Sequence, residues 1–134
     1  MIRPPKVSEI LSRYRTDKDS GFDRNGHTYG RFYDEHFGRY RWCSAVLEIG
    51  ILDGESLRCW AEYFPDAMIC GLDIQPSRLI NDGRIKSFCI DCSNPTELDL
   101  FSREYANHFS VIIDDGSHRI EDQLLVVRTM KRAL

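Results

Sequence analysis

At 134 residues the chain has the size of one domain with room for a real core, and its hydrophobic (42%) and charged (29%) fractions are ordinary for a globular protein. Eighteen Lys and Arg against 21 Asp and Glu give a net charge of −3 with no basic run, which excludes an electrostatic grip on nucleic acid. No apolar stretch reaches the length of a membrane span and no signal-peptide core follows Met1, so the default expectation is a cytoplasmic protein.

In chain order, residues 1–5 read as a disordered start. Val7, Ile10, Leu11 and Tyr14 have helical spacing, opened by Ser8 and Glu9. The run Thr16-Asp17-Lys18-Asp19-Ser20-Gly21 is polar and turn-like. After His27-Thr28-Tyr29-Gly30 come Phe32, Tyr33, His36, Phe37 and Tyr40, an aromatic helix. Residues 1–42 are therefore expected to form a helical segment covering one edge or the mouth of a sheet built from the remaining residues.

Strand and helix patterns then alternate. Residues 45–49 form a first strand, and 56–64 a helix with Leu57, Trp60, Ala61 and Phe64 on one face. Residues 67–72 and 85–90 are the second and third strands, joined by an irregular link over 75–83. Asn94-Pro95 opens a helix to about Tyr105 with Leu98 and Phe101 inward. Residues 109–113 are the fourth strand. Ile120, Leu124, Val127, Met130 and Leu134 mark the inward face of a final helix. Such alternation predicts an α/β fold: a Rossmann-like parallel sheet, order 3-2-1-4, with helices on both faces and a helical cap before it. Residues 43–134 would be a partial core, because a fifth strand ought to follow the last helix. The fourth strand is then an open edge, which a second copy would cover as a homodimer.

The five cysteines, Cys43, Cys59, Cys70, Cys89 and Cys92, are scattered through strand and helix patterns and suit reduced thiols. Cys89 and Cys92 have Cys-x-x-Cys spacing, but Cys89 lies inside a strand rather than at a helix N-terminus, so a redox pair is not expected.

The chemistry concentrates at strand ends. Leu47-Glu48-Ile49-Gly50 is followed by Gly54, and the second strand closes on Asp73. A glycine turn admits a ligand close to the backbone, and an acid ending the next strand can take both hydroxyls of a ribose. Asp53 and Glu55 crowd the turn and would repel a pyrophosphate, which weakens an NAD-dependent reductase reading. The pattern resembles motif I of class I S-adenosylmethionine-dependent methyltransferases.

Glu48, Asp73, Asp91 and the pair Asp114/Asp115 all close predicted strands and should share one crevice. Acids gathered from four strand ends repel one another unless ligand hydroxyls, amines or a cation satisfy them. Asp114-Asp115-Gly116-Ser117-His118 adds an imidazole able to take a proton from a hydroxyl. The plainer alternative is that Asp115 caps the next helix and His118 sits exposed in its first turn.

Thr16-Asp17-Lys18, His27-Thr28-Tyr29 with Tyr33 and Phe37, Leu47-Glu48-Ile49-Gly50 and Asp114-Asp115-Gly116-Ser117-His118 occur in that order. Together they resemble the macrolide sugar O-methyltransferases of the mycinamicin and macrocin type and the cephalosporin-hydroxylase-like methyltransferases. The resemblance implies methyl transfer from S-adenosyl-L-methionine to a hydroxyl of a small, sugar-like acceptor, with Mg²⁺ holding the acceptor oxygens. It implies catalytic roles for His118 (general base) and Asp115 (metal ligand). Glu48, Gly50, Gly54, Asp73, Asp91 and Asp114 would surround the cofactor. The family draws further metal-binding acids from the following strand, absent from these 134 residues. A non-catalytic S-adenosylmethionine-binding protein is therefore carried as the alternative.

Overall fold

The computed structural model describes residues 3–18 and 29–134. His27 and Thr28 of the motif series, and Asp19 to Gly21 of the polar turn, lie outside them.

Four strands form one parallel sheet in the order β3-β2-β1-β4, as the alternation predicts. They are β1 (Ala45–Ile49), β2 (Met68–Asp73), β3 (Ile85–Cys89) and β4 (Val111–Asp114). Period-two alternation sorts their side chains onto the two faces. Val46, Ile69, Ile85, Val111 and Ile113 enter one apolar cluster. Ala45, Leu47, Ile49, Cys70 and Leu72 enter the other. Every residue of β1 is buried, as expected of a central parallel strand covered on both faces.

The first cluster is covered by α1 (Val7–Leu11), α2 (Gly30–Phe37) and α3 (Glu55–Tyr63). Tyr33 and Phe37 of α2 pack on Trp60 of α3 with ring centroids 5.2 and 5.8 Å apart. The Asp34 carboxylate accepts hydrogen bonds from the Ser8 amide (3.1 Å) and hydroxyl (2.5 Å), tying α1 to α2. The helices of the cap thus lie against α3 on one face of the sheet, while residues 15–18 of the same segment reach the mouth at the strands' carboxyl ends. Aromatic area seats the helices there: α2 turns Tyr33 and Phe37 inward onto Trp60 of α3. Of the start expected to be disordered, Arg3 pairs with Glu9 and the Pro5 carbonyl accepts from Arg41, while residues 1 and 2 lie outside the described residues.

The second cluster is covered by α4 (Pro95–Glu104) and α5 (Ile120–Met130). Asn94 caps α4 by accepting from the Thr96 and Glu97 amides, with Pro95 in the first turn. Leu98 and Phe101 point inward as predicted. In α5 the predicted face is mostly the wrong one. Val126, Met130 and Ala133 are buried, whereas Ile120, Leu124, Val127 and Leu134 are exposed. The helix carries two apolar stripes, and periodicity alone does not say which one meets the sheet. In urea titrations Met130→Ala should cost about 2–5 kcal/mol through its cavity. Val127→Ala should stay within roughly 0.5 kcal/mol, as for an exposed position.

All five cysteines are free. Among the described residues no helix is long and apolar enough to cross a membrane.

Candidate functional site

The carboxyl ends of the strands open onto a cleft with a cavity of about 420 Å³. It is lined by the turn after β1, the end of β2, residues 90–93 after β3, the segment 114–118 after β4, and Arg15 to Lys18 from the N-terminal part. This is where an open parallel sheet binds its ligands.

Two loops meet here backbone to backbone. The Gly50 amide donates to the Leu72 carbonyl (2.8 Å) and the Asp115 amide donates to the Ile49 carbonyl (2.9 Å). Gly50 has φ +89°, and a Cβ built on it would stand 2.3 Å from the Asp115 carbonyl oxygen. Only glycine fits there.

Asp73 is buried and oriented through both carboxylate oxygens. Oδ2 accepts from the Ile51 amide (3.0 Å) and Oδ1 from the Gln75 amide (2.9 Å). Each oxygen keeps a lone pair for a ligand hydroxyl, and the residue lines the cleft. Arg78 stands 3.7 Å away. Asp91 lines the same cavity, its Oδ1 held by the amide (2.9 Å) and hydroxyl (2.6 Å) of Ser93. Burial pushes the Asp114 carboxyl above the ordinary carboxylate value, offset in part by the Gly116 amide on Oδ1.

Asp115 does not cap a helix, because α5 begins at Ile120 behind Arg119. Instead its Oδ2 lies 2.5 Å from the ammonium of Lys18. The same ammonium lies 2.9 Å from Oε1 of Glu48, which is fully buried. Burial works to lower the lysine's pKa, but Glu48 and Asp115 outweigh it and hold it well above the ordinary lysine value. Glu48 is itself pushed up by burial, against the pull of Lys18 and Ser56. Its Oε2 accepts from the Ser56 hydroxyl at 2.6 Å.

The structure therefore separates the predicted site residues into two sets. Gly50, Asp73, Asp91, Asp114, Asp115 and His118 line the cleft. Glu48 and Gly54 do not: Glu48 lies beneath it, its oxygens taken by Lys18 and Ser56, and Gly54 precedes α3 with φ +78° against Ile80. His118 is exposed at the lip, close enough to Asp114 to favour its charged form. Lys18 entered the sequence reading only as part of a motif, and Arg15 not at all. The signal that could have found Lys18 is Glu48, an acid inside an otherwise apolar strand, which needs a cationic partner.

The charge balance of the cleft is lopsided. Asp17, Asp53, Glu55, Asp73, Asp91, Asp114, Asp115 and Asp122 line it, against Arg15, Lys18 and Arg78. Such a cavity repels a pyrophosphate and favours a ligand with positive groups and hydroxyls.

Comparison with known proteins agrees. The chain is 40% identical over 124 residues to mycinamicin VI 2''-O-methyltransferase of Micromonospora griseorubida, covering 87% of this chain and 30% of that protein. It is 36% identical over 138 residues to demethylmacrocin O-methyltransferase of Streptomyces fradiae, covering 97% and 33%. The chain is a homologue of the macrolide sugar O-methyltransferases. The MycE methyltransferase of mycinamycin biosynthesis, solved with Mg and SAH, superposes with a TM-score of 0.86 at 34% identity, over 98% of this chain and 35% of that one. A second MycE structure also holds mycinamycin VI. No family model matches the chain. This homologue spans about a third of the length of the curated relatives it matches.

Proposed function

We propose that this chain binds S-adenosyl-L-methionine in the strand-end cleft and serves O-methyl transfer to a hydroxyl of a small acceptor, a sugar of a natural product or glycan. The observation that carries the reading is the acid-lined cavity with Asp73 preset by two backbone amides. An S-adenosyl ligand presents a ribose diol, an amine and a sulfonium, all matched to carboxylates. The N-terminal helical segment (1–42) and the partial core (43–134) act as one unit in this reading, since the segment supplies one wall of the cleft.

When bound, the cofactor supplies an electrophilic methyl group. Asp73 takes the ribose hydroxyls on its two remaining lone pairs. Ile74 and Ile90, beside Asp91 in the wall, offer apolar surface to the base. Gly50 lets the ligand approach the backbone between β1 and β4. His118, at the lip of the cleft, takes the proton of the acceptor hydroxyl.

Mg²⁺ fits these residues poorly. Among the described residues no group of three His, Cys, Asp or Glu could hold a metal ion, and one oxygen of Asp115 is already on Lys18. Asp115 offers one remaining oxygen as a single protein ligand, too few to hold the ion in place.

A second reading, binding without turnover, is favoured by the exposure of His118, which leaves the base open to water. In this setting the open outer edge of β4 and the exposed stripe of α5 are the surface a second copy would use.

Calorimetry with S-adenosylhomocysteine (SAH) tests the cofactor site: the wild type should bind, and Asp73→Ala should lose the affinity. Unchanged affinity in Asp73→Ala would sink the assignment. His118→Ala should keep SAH binding while labelled-methyl transfer to a sugar-bearing acceptor falls by about 10²-fold or more. Absence of single-turnover transfer in the wild type would favour the second reading.

A further inference from the structure

The cleft that favours the cationic parts of an S-adenosyl ligand is hostile to one part of it, the carboxylate of its amino-acid end. An anion placed among that many acids needs a cation of its own, and among the described residues three cationic side chains line the cavity. Lys18 is committed, its ammonium shared between Glu48 at 2.9 Å and Asp115 at 2.5 Å. Arg78 faces Asp73 at 3.7 Å. Arg15 is different: it is exposed, it lines the cleft, and among the described residues its side chain has neither an ion pair nor a hydrogen bond.

Arg15 is also well placed to stay there. Three residues on, Lys18 anchors the segment to β1 and to the end of β4. Within the segment the buried Thr16 hydroxyl accepts from the Lys18 amide at 3.3 Å, which holds the turn. A guanidinium on a pinned backbone, with its donors unspent, suits bidentate capture of a carboxylate.

We propose that Arg15 is the carboxylate-binding residue for the amino-acid end of the cofactor, which orients that end toward the N-terminal segment and the base toward Ile74 and Asp91. The inference rests on the reading of the cleft as a cofactor site. It gives Arg15 to Lys18 two tasks: Lys18 holds the cleft together, and Arg15 reads the ligand.

The test uses the 134-residue chain and two ligands, SAH and 5′-methylthioadenosine, which lacks the amino-acid end. Arg15→Gln should weaken SAH about tenfold or more, the scale of a lost charge-assisted hydrogen bond, and change 5′-methylthioadenosine by less than about twofold. Arg15→Lys, which keeps the charge but not the fork, should recover part of the SAH affinity. Equal losses for both ligands, or no loss for either, would overturn the assignment of Arg15. A wild type that binds neither ligand would instead overturn the cofactor reading itself. Thermal melts of both variants should match the wild type, because Arg15 has no partner to lose among the described residues.

Discussion

Lys18→Met is expected to destabilise the protein by about 3–5 kcal/mol, the cost of stranding a buried charge. Glu48 has no exposed surface, and without the ammonium its carboxylate is left with the Ser56 hydroxyl as a hydrogen-bond donor but no counter-charge. The sign with pH comes from the direction of the Glu48 shift. Burial already raises its folded pKa above the usual carboxylate value, and removing Lys18 removes the largest opposing pull. A raised folded pKa contributes stability that is full at acid pH and is lost as pH climbs through it. The variant's deficit should therefore be largest near pH 7–8 and shrink on acidification, as Glu48 protonates. In the wild type the lysine's own contribution is full below its ordinary pKa and fades only in strong alkali. Adding Glu48→Gln to Lys18→Met should return much of the loss, because a neutral amide needs no counter-charge. Thermal melts of the four proteins between pH 5 and 8 check this. For a chain of this length each kcal/mol is worth roughly 2–6 °C in Tm. A Lys18→Met variant that melts with the wild type at pH 7 would mean that Glu48 does not depend on the ammonium.

That network also marks where the sequence stopped being readable. Four strands and their order were legible because parallel strands read as short apolar runs separated by helical patterns, with acids clustered at or just after their carboxyl ends. Boundaries moved by one or two residues, as in β4, which begins at Val111 rather than 109. Asp73 was legible as a cleft residue because it closes β2 at the carboxyl edge of the sheet. Glu48 was not: its neighbourhood looks like a cofactor turn, yet its partner lies 30 residues upstream in a polar segment with no local sign of burial. The inward face of the two-sided helix α5 and the packing of the cap helices on α3 were not legible for a related reason. Each depends on which surface is presented by an element distant in the chain, and neither period nor propensity carries that information. Arg15 belongs to the same class, since its meaning depends on how the other cationic side chains of the cleft are already spent.

Gly50→Ala should couple the two halves of the site more directly than any side-chain deletion. The added methyl would stand 2.3 Å from the Asp115 carbonyl oxygen and 2.8 Å from its carbon, both backbone atoms that cannot rotate away. The residue also sits at φ +89°, where a Cβ is strained whatever the space. Relief requires the turn after β1 and the segment after β4 to part. That movement would stretch the Asp115 amide bond to Ile49 and draw the carboxylate off Lys18. The loss should reach about 2 kcal/mol or more, on the scale of overpacking added to backbone strain. SAH affinity should fall by about tenfold, since the cavity is bounded by both loops. Asp115→Ala separates the two contributions. It removes one partner of Lys18 but leaves the backbone contact in place, so SAH binding should suffer less than in Gly50→Ala. Were Asp115→Ala to weaken SAH as much as Gly50→Ala does, the carboxylate itself, and not the approach of the two backbones, would be what shapes the cleft.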